Sequence, residues 1–182
     1  MWRYVHIDET RQGLLENGII DLSGDVDEDM AMYVREALII LATKGNPDIK
    51  IIITSNGGNV KIGFNIYDMI RNYPGRITGE VNAFCRSIAM VILQACRRRT
   101  AMSNASLKIH NVKQEDVSLN DLRNKKKLAA LIASLEWDQN RINSLYSQHS
   151  GQSLRSINRL SNADRDMKVE EALALGLIDE II

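Results

Sequence analysis

Apolar residues recur along this chain with two alternating periods. Residues 19–22 (IIDL) form a short apolar run, and from 27 to about 43 Met30, Val34, Ala37, Leu38 and Leu41 fall at helical spacing. Gly45, Asn46 and Pro47 break that pattern. The run KIIIT at 50–54 is apolar on both faces, as in a strand buried within a parallel sheet. SNGG follows, and Phe64, Tyr67 and Ile70 predict a helix over about 60–72. Pro74-Gly75 is a turn, 76–82 (RITGEVN) a further strand, and 87–97 a helix. Arg97, Arg98 and Arg99 are expected at that helix's end, where positive charge complements the partial charge of the last carbonyls. A strand at 107–109 leads to His110.

Beyond His110 the pattern changes. Ser118 with Asp121 resembles a capping box. Leu122, Leu128, Ile132, Leu135, Ile142 and Leu145 then predict one helix of about 30 residues ending near Gly151. So long a helix is unusual within a compact domain, and it is expected to project and pack against another chain. Shorter helices at about 153–160 and 169–175 and a small strand at 177–182 follow. The strand–helix rhythm predicts an α/β fold with a largely parallel sheet and right-handed crossovers, one domain over 1–182.

Composition narrows the class. With 182 residues, 45% of them apolar and 25% charged, the chain can bury a sizeable core. A formal net charge of zero gives no global pointer to nucleic acid. Two cysteines, Cys85 and Cys96, are too few for a disulfide framework, and a reducing compartment is the simpler reading. MWRYVHIDET lacks the apolar run of a signal peptide, and the longest apolar stretch, 88–96, is about half a bilayer span. The expectation is a soluble cytoplasmic protein with no membrane or nucleic-acid partner.

Four pieces carry candidate chemistry, and each has an ordinary reading beside it. SNGGN at 55–59 follows a buried strand and precedes a helix; its glycines let the backbone turn and offer N–H groups to an oxyanion, or simply make a strand–helix turn. No Gly-Lys-Ser/Thr is present for a phosphate loop. Ser87 opens an apolar helix with small residues behind it, as nucleophile or as plain N-cap. Cys85 is the rival nucleophile, and an apolar cysteine is more often structural. His110 ends a strand and is followed by Asn111, a place from which a base reaches a cleft; His6 and His149 lie in less suggestive positions. Asp164 precedes a helix, as orienting carboxylate or as cap, with Asp166 competing. No His, Cys or Glu cluster has metal-ligand spacing, and Lys125-Lys126-Lys127 reads as a solvated helix face.

In this order and spacing the pieces resemble the proteolytic-subunit (ClpP) family of caseinolytic serine peptidases, over about 19–182. The family's Ser-Pro-Gly-Gly-Ser turn is similar to Ser55-Asn56-Gly57-Gly58-Asn59, and its Ile-Tyr-Asp segment to Ile66-Tyr67-Asp68. Its nucleophile motif resembles Cys85-Arg86-Ser87-Ile88-Ala89-Met90, and its Met-Ile-His-Gln resembles Lys108-Ile109-His110-Asn111. Its His-Thr-Gly-Gln-Ser-Leu is similar to the segment from His149 to Leu154, and the closing acidic element to Asp164, Glu171-Ala172 and Gly176-Leu177-Ile178-Asp179.

The resemblance implies a crotonase-like spiral of βαβ units with a protruding handle helix, the handle region covering about 113–151. It implies a Ser87–His110–Asp164 triad and an oxyanion hole from the N–H groups of Gly58 and Ile88. Extended substrate backbone would lie along Gly57, Gly58 and Asn111. It further implies stacked rings, usually heptameric, enclosing a chamber. No cofactor is expected, ATP being used only by a separate AAA+ unfoldase of Clp type. The chain departs from the family at Cys85-Arg86, at Val112 in place of proline, at Asn162-Ala163 in place of an acidic–Arg pair, and by about five added residues between His110 and Gly151. Those departures leave two alternatives open: a catalytically silent subunit of mixed rings, and a phage capsid-maturation protease of the same fold. A crotonase-type acyl-CoA enzyme would not need the Ser/His/Asp set.

Overall fold

A computed structural model of the chain describes residues 7–114 and 117–182. His6 and the start of MWRYVHIDET, and residues 115–116 of the expected handle region, lie outside them. The elements run α1 (Glu9–Glu16), β1 (Ile19–Val26), α2 (Glu28–Thr43), β2 (Ile49–Gly58), α3 (Val60–Arg71), β3 (Ile77–Arg86), α4 (Ile88–Gln94), β4 (Arg98–Ala101) and β5 (Ser106–Lys108). They continue with α5 (Leu119–Arg123), α6 (Lys125–Ser150), α7 (Leu154–Ala163), β6 (Met167–Lys168), α8 (Val169–Ala174) and β7 (Glu180–Ile181). Helix starts follow local chemistry: Asp8, Asp27, Asn59, Ser118, Asn124 and Ser153 each accept a first-turn N–H at the N-cap.

The sheet order is β1-β2-β3-β4-β7, all parallel. β3 is long enough to serve two neighbours. Its first half pairs with β4 (Thr78 to Val81 against Arg98 to Ala101), and its last residues pair with β5 (Phe84 to Arg86 against Ser106 to Lys108). β6 adds antiparallel to β5, so the sheet is mixed. All seven residues of α4 are buried, because the helix is walled by β2 and β3 and by α3 and α6. That explains the largely apolar run at 88–96 without a membrane; among the described residues no helix is long and apolar enough to cross one.

Two expectations need correction. The three arginines are not the end of a helix. α4 stops at Gln94, and Arg98–Ala101 is β4, whose ladder with β3 outweighs local helix preference. Arg99 is buried there: its Nη2 donates to Asp179 Oδ1 at 2.5 Å, its Nε to Oδ2 at 3.0 Å, and its backbone N–H to Oδ2 at 2.7 Å. Arg99 also donates to Gln94, whose own Nε2 donates to the Leu177 carbonyl at 3.1 Å. Burial alone would raise the Asp179 pKa, but the Arg99 hydrogen bonds outweigh it and lower the carboxyl below its usual value. Because the carboxyl titrates lower folded than unfolded, its contribution is complete above about pH 5 and is lost as pH falls below about 4. Asp179→Ala is expected to cost about 2 kcal/mol, because Arg99 loses its partly exposed carboxylate partner and keeps only Gln94. It should be read as a lower urea midpoint at unchanged slope.

The second correction concerns the handle. The chain forms two helices there instead of one, broken at Asn124. That residue sits at φ −87°, ψ 103°, and its Oδ1 accepts from the N–H groups of Lys126 and Lys127, both at 3.1 Å. An asparagine that can cap a new helix competes with continuing the old one. Ser118 caps α5 as the sequence implies. Of α6, Ile142, Asn143 and Tyr146 are buried, while Ile132 and Trp137 on the outer part are exposed, Trp137 by 71%. β4, β6 and α1 carry no apolar period of their own and are additions to the sequence reading.

Candidate active site

The site lies where β2, β3 and β5 end side by side. Ser55 is buried at the end of β2, and its Oγ accepts the Gly57 N–H at 3.0 Å. Gly57 and Gly58 stand at φ 100° and 153°, backbone that a side chain resists. A Cβ on Gly57 would fall 2.6 Å from Ser87 Cβ and 3.2 Å from the Ile88 nitrogen, so the glycine turn lies flush against the start of α4. A Cβ on Gly63 would fall 2.1 Å from the Ile88 side chain, so this glycine lets α3 close onto α4.

Ser87 occupies the turn between β3 and α4 at φ 55°, ψ −131°, a strained conformation for a residue other than glycine. Its side chain makes no capping hydrogen bond, which sets aside the plain N-cap reading. Three hydrogen bonds to the Ser87 backbone fix the turn: Ser87 N–H donates to the Lys108 carbonyl (2.9 Å), and the Ser87 carbonyl accepts from Met90 N–H (3.0 Å) and from the Tyr146 hydroxyl (3.2 Å). Cys85 points into the core and is fully buried; desolvation, with Cys96 nearby, pushes its thiol far above the ordinary range. Cys96 is pushed up to about 12 by the same burial. Neither thiol is available as a thiolate nucleophile.

β5 carries His110 to the same end of the sheet, since Arg86 pairs with Lys108. Its Nδ1 lies 2.6 Å from the Asn111 carbonyl, and Asn111 Nδ2 donates to Asn162 Oδ1 at 2.8 Å. Asp164 caps the end of α7 in the left-handed region, at φ 46°. Its Oδ1 meets Lys108 Nζ at 2.8 Å and its Oδ2 meets Lys113 Nζ at 3.0 Å. Hydrogen bonds from Lys108 first, then Lys113, hold its carboxyl at about 2. Among the described residues no hydrogen bond joins His110 to Asp164 or to Ser87. The fold therefore gathers Ser87, His110 and Asp164 at one sheet end, with Ser87 against Gly57, and leaves the histidine and the aspartate unpaired with each other.

Asp166, the competing carboxylate, is taken by Arg86: Nε donates to its Oδ1 at 2.7 Å. The same guanidinium donates to Asn56 Oδ1 (2.9 Å) and Ser106 Oγ (3.2 Å), so Arg86 ties β2, β5 and the segment before β6 together beside Ser87. Tyr67 Oη and His149 Nε2 are 3.0 Å apart, joining α3 to the base of α6; burial lowers the His149 pKa and favours the neutral ring. Two of the quoted motif segments thus meet in a structural contact. A groove of about 1110 Å³ between α2 and α3, lined in part by Leu38, Ile39, Ile62 and Met69, contains none of these residues. Among the described residues no group of three His, Cys, Asp or Glu could hold a metal ion. Sequence reasoning missed Tyr146 and Lys113 and the ion pair of Lys108, whose relevance appears only when distant segments meet.

A serine on a strained strand-to-helix turn is the arrangement by which hydrolases expose a nucleophile. The Clp protease family model matches residues 3–182, and this chain belongs to that family. It is 32% identical over 177 residues to ATP-dependent Clp protease proteolytic subunit 1 of Streptomyces coelicolor, covering 96% of this chain and 78% of the relative. It is 30% identical over 177 residues to proteolytic subunit 3 of Streptomyces avermitilis, covering 96% and 78%. The fold is similar to that of a point mutant of ClpP1 from Listeria monocytogenes, with a TM-score of 0.84 and 25% identity over 95% of each chain. The expected ClpP fold is therefore the one observed.

Proposed function

We propose that this chain is a serine endopeptidase subunit that cleaves peptides and unfolded proteins inside an oligomeric ring. The observation that carries the reading is Ser87, strained at φ 55°, with its hydroxyl unused as a cap and its Cβ side packed on Gly57. Ser87 Oγ attacks the scissile carbonyl while His110 takes its proton. His110 then returns that proton to the leaving amine, and water repeats the sequence on the acyl-enzyme. Asp164 holds the imidazole during these transfers, which requires the carboxylate and the ring, each now engaged elsewhere, to come within hydrogen-bond reach. The N–H groups of Gly58 and Ile88 stabilise the oxyanion, where each donor is worth on the order of 100- to 1000-fold in rate. Gly57, Gly58 and Asn111 pair with extended substrate backbone.

Self-association is supported by the exposed apolar residues of the outer handle, Ile132 and Trp137, and by Ile39 beside the α2–α3 groove. Stacked rings, a chamber and an ATP-driven unfoldase partner belong to this reading, as does action on substrates in the cytoplasm. A second reading, a silent subunit of mixed rings, draws on His110 and Asp164 being engaged elsewhere and not with each other. Fluorophosphonate labelling separates the two. An adduct mapped to Ser87, and lost in His110→Ala, is the expected result. A purified, assembled protein with no serine adduct would leave the silent subunit.

A further inference from the structure

Both oxygens of the Asp164 carboxylate are engaged, Oδ1 by Lys108 and Oδ2 by Lys113. The nitrogen of His110 that a triad would turn toward that carboxylate, Nδ1, sits instead against the Asn111 carbonyl. Lys108 is no remote surface residue: its carbonyl accepts the Ser87 N–H, so the cation that occupies Asp164 is anchored to the same turn as the nucleophile. We propose that Lys108 and Lys113 are positioning residues that hold Asp164 away from His110, so that the chain rests with its acid–base pair unjoined and gains reactivity when the lysines release the carboxylate. The proposal rests on the Ser87–His110–Asp164 reading above.

The exchange is adjustable, because the Asp164 ion pairs are partly exposed. Joining the pair trades two ammonium contacts at Asp164 and one carbonyl contact at His110 for a single imidazole–carboxylate hydrogen bond. Surface ion pairs are individually weak and are screened by salt. Lys113 and Asp164 side chains are 61% and 43% exposed, so bulk ions reach them, while Lys108 at 22% is the more sheltered partner. The unusually acidic carboxyl agrees with a group that stays ionised and held throughout the working pH range. Each lysine is therefore expected to favour the resting arrangement by a small factor, and the two together by more.

The test is Lys108→Met with Lys113→Met in the full chain, which keeps the apolar stems and removes both charges. Two readouts are taken. One is the rate of fluorophosphonate labelling at Ser87. The other is the downfield imidazole N–H proton that marks a histidine–carboxylate hydrogen bond, observed by NMR with labelled histidine. At about 50 mM salt the double variant should label about 3- to 10-fold faster than wild type. The downfield proton should appear in the variant and vanish when Asp164→Asn is added. Wild type should approach the variant's rate as salt rises to about 500 mM, whereas the variant should change by less than about twofold. Should the double variant fold poorly, Lys113→Met alone at its exposed position should give about a twofold gain, and the wild-type salt series needs no variant. Labelling at the wild-type rate or slower, without the downfield proton, would overturn the proposal. So would acceleration without that proton, since the lysines would then act on Ser87 by charge alone. A downfield proton with no Ser87 adduct would uphold the lysine hold and remove the peptidase reading.

Discussion

Ser87→Ala is expected to abolish peptide hydrolysis and fluorophosphonate labelling, a loss on the order of 10⁴- to 10⁶-fold, in a protein that still folds and assembles. The hydroxyl makes no cap bond, so its removal takes away no stabilising contact at the start of α4. The backbone carries a second, opposite signature. At φ 55°, ψ −131° a side chain of any kind is strained, and alanine keeps that strain. Ser87→Gly should relieve it and unfold at a higher denaturant midpoint than Ser87→Ala, by about 1 kcal/mol, with activity equally absent. On the proposed reading, this strain is retained for chemistry. Wild-type hydrolysis surviving in Ser87→Ala would remove the serine from the mechanism outright. Ser87→Gly less stable than Ser87→Ala would mean that the turn is not strained.

Gly57→Ala is expected to lower kcat/KM by about 100- to 1000-fold while destabilising the fold by roughly 3 kcal/mol. Two costs combine. The φ of 100° disfavours any Cβ, and that Cβ would stand 2.6 Å from Ser87 Cβ and 3.0 Å from the Arg86 carbonyl. Relief requires the glycine turn and the serine turn to separate, and a displacement of about 1 Å at a reacting centre is enough for a loss of this size. Gly13→Ala is the contrasting change: it lies within α1, with nothing inside 4 Å of the added methyl. That substitution should stabilise by about 0.5–1 kcal/mol and leave kcat/KM unchanged. Peptidase kinetics beside urea unfolding of the three proteins would decide. Gly57→Ala with wild-type kinetics would mean that the two turns do not need their close approach.

How much of this was legible beforehand depends on the range over which each feature is encoded. β2, α2 and α3 were readable because their apolar periods are local and their breaks carry Gly, Pro or Asn. β4 was not: four residues with two arginines show no alternation, and the groups that make Arg99 acceptable in the interior, Gln94 and Asp179, lie five and 80 positions away. The local setting of Ser87 marks it as a chemical candidate, but its positive φ is a property of the assembled turn. Asp164 is visible in the sequence as a carboxylate near a helix boundary. Its two lysine partners come from segments 51 to 56 residues earlier, and no short-range pattern announces that meeting. The broken handle follows from Asn124, whose capping capacity is visible in the sequence yet loses its meaning inside an apparently continuous apolar stripe.

The pairing of Arg99 with Asp179 also bears on how the chain is made. A nascent polypeptide that has emerged through α8 already contains α4 and β4, but not the carboxylate that neutralises Arg99 or the Leu177 carbonyl that receives Gln94. Until residues 177–181 arrive, β4 is an open sheet edge with a cation facing the most apolar helix of the protein. Contacts of such long sequence separation form slowly and last. During synthesis, therefore, the half-built sheet keeps an open edge until the closing strand pairs with it.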